Sequence, residues 1–212
     1  MTDEVLTLTP ELLLQAYAVG IFPMGSEGSE QELYWVDPPE RGVIPLDGLH
    51  VSRSLRKTIR RGGFEVRIDH DFGAMMRDCA GREETWINDT ILDLYRALHE
   101  RGAAHSVEVW SGGRRLGGLY GVSIGAAFFG ESMVSHVPDA SKIALVWLVA
   151  RLRAGGFRLL DTQFTTEHLE SMGGIGIDRA KYQTSLQTAL RHRGRFGALD
   201  RDADTETVLG LL

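Results

Sequence analysis

The 212-residue chain has a single cysteine, Cys79, which excludes an internal disulfide and any cysteine-rich zinc module. No apolar run approaches the roughly 18 residues that a membrane span needs. Its first residues, Met1-Thr-Asp-Glu4, are acidic, where a secretory leader would carry a basic segment before an apolar one. A reducing, cytoplasmic setting is therefore expected, with no membrane partner. The chain lacks repeats and low-complexity tracts, which excludes solenoid and fibrous architectures. Its seven histidines, His50, His70, His99, His105, His136, His168 and His192, show no metal-binding spacing such as H-E-x-x-H. Neither a metal nor a cofactor is expected. Positive charge is also scarce: 23 Lys and Arg stand against 29 Asp and Glu, a formal charge of −6, which argues against a uniformly nucleic-acid-binding surface.

What is present is the composition of an ordinary globule, 43% hydrophobic and 25% charged, with enough chain to bury a core. Thr9-Pro10 reads as the cap and first position of a helix that carries Leu12, Leu13, Tyr17 and Ile21 on one face and ends at Gly20. A polar segment, 25–32, leads to Leu33-Tyr-Trp-Val36 and then Pro38-Pro39. That pair breaks regular structure and divides a small N-terminal domain, 1–38, from a larger one, 39–212. Residues 51–61 place Val51, Leu55 and Ile59 within about 80° of helical arc, with Arg53, Arg56, Lys57, Arg60 and Arg61 opposite. Five cations without one acid, in an acidic chain, are the footprint of phosphate contacts; a solvated helix face is the plain alternative.

Further along, a strand at 64–68 and helices near 71–79 and 87–101 are predicted. Three antiparallel strands follow at 106–110, 116–124 and 127–134, the first turn being Ser111-Gly-Gly-Arg114. Asp139 opens a largely apolar helix that Gly155-Gly156 stops. A strand at 157–164, a short helix at 166–172 and a last helix at 178–191 complete the chain. The order β-β-β-α-β-α predicts an α+β fold, an acetyltransferase-like (GNAT-like) mixed sheet with flanking helices. Arg191, Arg193, Arg195 and Arg201 read as a frayed basic tail, the alternative being a cluster that assists the cationic helix.

Several familiar motifs fail. The junction Ser135-His-Val-Pro-Asp139 lacks the glycine-rich amides that hold a CoA pyrophosphate at a helix N-terminus, which disfavours an acyl-CoA-dependent N-acyltransferase. Ser132 lies in strand pattern rather than on a nucleophile elbow. Gly117-Gly-Leu-Tyr-Gly121 and Gly173-Gly-Ile-Gly176 lack the partners of phosphate loops. Cys79, beside Met75 and Met76, reads as buried filler. Two polar features remain. Asp161 and Gln163, two apart on a strand, are expected on one face about 6.5 Å apart; they are either a hydrogen-bonded structural pair or part of a site. Glu131, amid Phe128 and Phe129, either meets an internal partner or faces a site that needs its charge.

Seven blocks, in order between about residues 8 and 190, together resemble one family, the leucyl/phenylalanyl-tRNA–protein transferases. They are Leu12 to Pro23, Thr85-Trp-Ile, His105-Ser-Val-Glu-Val-Trp110, Gly117-Gly-Leu-Tyr-Gly-Val122, Phe128-Phe-Gly-Glu-Ser-Met133, Ala140-Ser-Lys and Leu160-Asp-Thr-Gln163. The resemblance implies transfer of Leu or Phe, and Met less well, from aminoacyl-tRNA to an N-terminal Arg or Lys of a protein, creating a degradation signal. It implies that leucyl-tRNA, phenylalanyl-tRNA and such proteins are the partners.

It further implies that Asp161 and Gln163 align the attacking amine and one of them deprotonates it, or that a ribose hydroxyl relays the proton while they only orient the amine. Glu131 matches the active-site glutamate. Trp86 matches a contact to the 3′-terminal adenosine, and Leu119, Phe128, Leu145 and Leu148 match lining positions of an apolar aminoacyl pocket. Phe128 and Glu131 fall on opposite faces under strict alternation, so both can line one site only with a bulge at Gly130. Met24 replaces a tryptophan often found after Phe-Pro, and Thr166 an asparagine three residues after the glutamine. The start of the chain implies a reduced N-terminal domain. The cationic helix gains a sharper role as a contact for the tRNA acceptor stem. An aminoacyl ester is already activated and a protein α-amine has a pKa of about 7.7 to 8.0. Positioning, worth up to roughly 7 to 11 kcal/mol, is then expected to outweigh proton transfer, worth about 10² to 10⁴ in rate.

Overall fold

The structure is a computed structural model that describes residues 8–25, 33–81 and 87–212. Its first helix, α1 (Pro10–Val19), begins where the Thr9 hydroxyl accepts the Leu12 amide and stops at Gly20, whose φ of 91° is left-handed. A two-stranded antiparallel sheet comes next, β1 (Phe22–Gly25) with β2 (Leu33–Val36). The remaining strands are β3 (Glu40–Val43), β4 (Glu65–Ile68), β5 (Ala104–Ser111), β6 (Arg114–Ile124), β7 (Ala127–Ser135), β8 (Leu159–Gln163) and β9 (Ile175–Asp178). They form one sheet in the order β4-β5-β6-β7-β8-β3-β9. Every neighbouring pair is antiparallel except β7 and β8, which run parallel.

Helices cover both faces. On one side lie α2 (Arg53–Arg61), α5 (Ala140–Ala154) and α8 (Thr205–Gly210); on the other lie α1, α3 (Phe72–Ala80), α4 (Asp89–Glu100) and α7 (Arg179–Leu190). Alternation along the strands feeds the two cores. Val107, Leu119, Phe128 and Leu160 face the α5 side, while Tyr120, Val122, Phe129 and Leu159 face the α7 side. The long crossover that parallel strands require is α5, buried along nearly its whole length. Cys79 packs in the second core with Met75 and Met76.

Three expectations are corrected. Asp139 does not cap α5 with its side chain; the Ser135 hydroxyl accepts the Ser141 amide at 3.0 Å. The basic stretch after α7 is not frayed. Phe196, Leu199, Val208 and Leu209 pack into the core, and the buried Arg151 guanidinium donates to the carbonyls of Phe196, Leu199 and Asp200. β3 and β9, four residues each, were not expected as strands, nor was α8; β3 completes the sheet between β8 and β9.

The register between β3 and β8 shapes the end of β8. Gly42 pairs with Gln163 and Val43 with Asp161, so Thr162 is an extra residue on β8. A Cβ on Gly42 would lie 2.4 Å from the Phe164 carbonyl carbon and 2.5 Å from its oxygen, so only glycine lets β3 approach the end of β8. Replacing Gly42 with alanine is expected to cost about 1 to 3 kcal/mol, as overpacking typically does, in denaturant unfolding. An unchanged unfolding midpoint would mean that the end of β8 yields freely.

Candidate active site

The β7–β8 ladder is short. Its pairs are Ala127↔Leu159, Phe128↔Leu160 and Phe129↔Asp161, although β7 runs on to Ser135 and β8 to Gln163. Past the last pair lies a cavity of about 700 Å³, within the range of small-molecule sites. Gly130, Glu131, Ser132 and Met133 line it from β7, and Leu160, Thr162 and Gln163 from β8. A bulge accompanies the parting. Gly121 pairs with Gly130 and Tyr120 with Ser132, so Glu131 has no opposite residue on β6, and such an insertion bends a strand. A bulge at Gly130 is required only if Phe128 and Glu131 line one site; the extra residue is Glu131.

Of the expected pocket residues, Leu119, Leu145, Leu148 and Met24 line this cavity, together with Leu169 and the exposed ring of Phe164. Phe128 does not. Its alternation sends it to the opposite side from Glu131, where its ring stacks on Phe196 at 5.7 Å. Thr166 lines the cavity and caps the short helix α6 (Glu167–Glu170) by accepting the Leu169 amide. His168 lines it as well, its pKa lowered by burial and by nearby Lys142, so the ring is neutral at pH 7. Trp86 lies outside the described residues. Trp110 is tied into the structure elsewhere, its indole N–H donating to Glu108 and the guanidiniums of Arg67 and Arg115 lying over its ring.

Glu131 both meets internal partners and faces the cavity. Tyr17 from α1 donates to its Oε1 at 2.7 Å; Tyr95 from α4 and the Gln163 amide donate to its Oε2 at 3.1 and 3.0 Å. The two tyrosine hydroxyls also touch one another. Burial pushes the Glu131 carboxyl up to about 7, against the three hydrogen bonds that pull it down, while Asp161 adds to the rise. Burial, then the Glu131 charge, drives both tyrosine hydroxyls well above their usual value, so they remain donors.

Asp161 is placed differently. It is 0% exposed and lines no part of the cavity; it lies on the α7 side with Leu159, under the Tyr182 hydroxyl of α7. Every lone-pair direction is used. Arg41 Nε donates to Oδ1 and Oδ2 at 3.0 and 3.1 Å, and its Nη2 to Oδ2 at 2.7 Å. The Tyr182 hydroxyl donates to Oδ2 at 2.6 Å, and the Gln163 backbone N–H to Oδ1 at 2.7 Å. Gln163 lines the cavity and Asp161 does not, although the Gln163 amide also reaches toward the α7 side, where Glu131 meets Tyr17 and Tyr95. Thr162 is the extra residue and Gln163 adopts φ 64°, a left-handed conformation uncommon outside glycine. That twist turns the Gln163 side chain to the cavity while its backbone stays on Asp161.

The cationic helix forms as expected, with Ser52 capping the Leu55 amide and Leu55 and Ile59 buried. Arg53, Lys57 and Arg61 are exposed and Arg56 half-buried. Arg60 pairs with Glu206 at 3.0 Å, both well exposed. Tyr17, Tyr95, Tyr182 and Arg41 were not foreseen as site residues. The one available signal was tyrosine, where phenylalanine would do, at core positions of amphipathic helices.

Residues 43–187 match the family described as leucyl/phenylalanyl-tRNA protein transferase, and residues 7–39 match that family's N-terminal domain. A leucyl/phenylalanyl-tRNA–protein transferase of Maricaulis maris is 58% identical over 193 residues, covering 89% of each chain. One from Paramagnetospirillum magneticum is 56% identical over 209 residues, covering 97% of this chain and 99% of the other. A solved structure, L-PGS from Bacillus licheniformis, aligns at 15% identity with a TM-score of 0.42, over 76% of this chain and 54% of that one. The chain belongs to the leucyl/phenylalanyl-tRNA protein transferase family. It is an enzyme, an aminoacyltransferase.

The buried carboxyl gives a signed test. Between pH 4.5 and about 7 the folded protein keeps the Glu131 proton that the unfolded chain has lost, so stability falls as pH rises across that window. At 1.36 kcal/mol for each pH unit the loss is about 3 kcal/mol. Glu131→Gln has no such charge to bury. Its melting temperature is expected to gain on that of the wild type from pH 5 to pH 8; parallel profiles would mean that Glu131 ionises normally.

Proposed function

We propose that the cavity between β7 and β8 receives the aminoacyl end of leucyl-tRNA or phenylalanyl-tRNA, methionyl-tRNA less well, and brings onto its ester the α-amine of a protein that begins with Arg or Lys. The observation that carries this reading is the cavity itself, a leucine-walled space ending on Glu131 and Gln163. Leu119, Leu145 and Leu148 enclose the aminoacyl side chain, as apolar walls favour Leu and Phe by burial. Met24 and Phe164 offer surface to the terminal nucleoside, alongside Trp86 by family resemblance. The product's new N-terminal residue then acts as a degradation signal in the cytoplasm.

In this reading the three polar residues divide the work. Glu131, with its pKa near that of an α-amine, takes the proton the nitrogen loses as the new C–N bond forms and the ester C–O bond breaks, and passes that proton to the leaving ribose oxygen. A base matched to working pH is the efficient kind. Gln163 holds the Glu131 carboxylate and orients the amine. Asp161, sealed from the cavity, positions Gln163 and moves no proton.

The strand order supports the finer fold reading, an acetyltransferase-like (GNAT-like) sheet in which the antiparallel β5–β6–β7 unit is followed by the α5 crossover to a parallel β8. An acyl-CoA donor fits the α5 N-terminus less well, since Ser135 already occupies the Ser141 amide. The two units, 1–38 and 39–212, agree with the two matched family regions and with β1 pairing β2 alone. No helix of the described residues is long and apolar enough to cross a membrane.

The phosphates of the acceptor stem lie on α2. Single-turnover mixing of labelled leucyl-tRNA with an Arg-starting peptide is expected to yield leucyl-peptide, and a Ser-starting peptide far less. No product would end the proposal. Arg53→Glu with Lys57→Glu should raise the donor KM and flatten its log–log salt dependence by roughly 0.9 for each phosphate left unneutralised, leaving transfer from leucyl-adenosine unchanged; an unaltered KM would reduce α2 to a solvated surface.

A further inference from the structure

Among the described residues Arg41 is one of the largest wholly buried side chains, and it takes no direct part in the transfer chemistry. It is 1% exposed on β3. Its guanidinium lies between two rings, 4.4 Å from the centroid of Phe22 and 4.6 Å from that of Tyr182. Nη1 donates to the Gly20 carbonyl at 3.0 Å, at the end of α1, while Nε and Nη2 grip both oxygens of Asp161. One planar group thus joins α1, β1, α7 and β8. Burial opposes its charge, and the Asp161 carboxylate overrides that opposition and raises its pKa.

The influence of Arg41 reaches the cavity through one carboxylate. Asp161 Oδ1 accepts both Arg41 Nε and the backbone N–H of Gln163, the residue held at φ 64°. A left-handed non-glycine residue persists only where its surroundings fix it. The Gln163 side chain in turn holds Glu131 Oε2. An unrestrained Asp161 would be free to leave the Gln163 amide, and the strand end would relax toward extended backbone, swinging the glutamine off Glu131.

We infer that Arg41 is a positioning residue for aminoacyl transfer, acting through Asp161 to hold Gln163 in the left-handed conformation that aims its amide at Glu131. The inference rests on the proposed transfer reaction. Lysine is a poor substitute for Arg41, because one ammonium cannot supply a two-pronged contact, a third bond to Gly20 and a stacked plane together. Tyr182 adds a donor to the same carboxylate and belongs to the same restraint.

The test is a double-mutant cycle on kcat with leucyl-tRNA and an Arg-starting peptide, both saturating, for wild type, Arg41→Lys, Gln163→Ala and the double variant. Arg41→Lys is expected to lower kcat about 10- to 100-fold, the scale of a small misplacement, with both KM values within about twofold. In the Gln163→Ala background the same change should cost less than about twofold, because its route to the substrate is already gone. Penalties that multiply, or an unchanged kcat, would overturn the inference. Hydrogen exchange at the Gln163 amide supplies a readout independent of activity: it should quicken at least tenfold in Arg41→Lys while β6 amides hold, and an unchanged rate would equally overturn the inference. Wild-type protein that transfers nothing, yet shows this exchange coupling, would defeat the transfer reading and Arg41's part in it while leaving the restraint on Gln163 standing. Where Arg41→Lys does not fold, Tyr182→Phe replaces it in the cycle, with a smaller loss in kcat that must likewise vanish in the Gln163→Ala background.

Discussion

The parting of β7 from β8 after three residue pairs governs the rest of this molecule. Parallel strands are normally covered on both faces and paired along their length. Here the bulge at Glu131 turns one strand away and the left-handed Gln163 ends the other, so a gap opens where the sheet would have been continuous. The gap reaches both layers: leucines from the α5 side line it, and so do Tyr120 and Glu131 from the α7 side. A single opening thereby offers an apolar enclosure and a polar wall in direct contact.

Two carboxylates accept hydrogen bonds from Gln163, Asp161 from its backbone and Glu131 from its side chain, and their surroundings differ. Asp161 is compensated by a guanidinium, a phenol and a backbone amide. Removing one partner of so buried an ion pair typically costs about 3 to 5 kcal/mol, and a group so committed is a fixture. Glu131 is held by neutral donors alone, two phenols and an amide. Neutral donors lower its pKa less than burial raises it, which leaves a carboxyl able to gain and lose a proton near neutrality.

Much of the architecture was legible in the residues. Helices with a side-chain cap and a buried stripe, such as α1 and α2, and the Gly112-Gly113 hairpin, where both glycines have positive φ, carry their signals within a few positions. β3 and β9 do not: Glu-Arg-Gly-Val and Ile-Gly-Ile-Asp hold no alternation long enough to read, and they become strands only because β8 offers an edge. Glu131, Gln163 and the leucines that line the cavity stand out in the sequence because residue type and family likeness agree there. The separate surroundings of Asp161 and Gln163 are not readable by period-two counting, which has no term for an extra residue at Thr162. Phe128 was misplaced for the converse reason, since regular alternation does hold up to Gly130. Arg41 was invisible, as nothing near Pro38-Pro39 marks a cation for complete burial 120 residues from its partner.

The central claim is that this gap encloses the aminoacyl group with its carbonyl presented to Gln163 and Glu131. The most direct measurement is a crystal structure with leucyl-adenosine joined by a non-hydrolysable amide. The account predicts the leucyl side chain among Leu119, Leu145 and Leu148, with the carbonyl within hydrogen-bonding reach of the Gln163 or Glu131 side chain. An analogue bound elsewhere on the protein, or seated with its leucyl group pointing out of the gap, would contradict it.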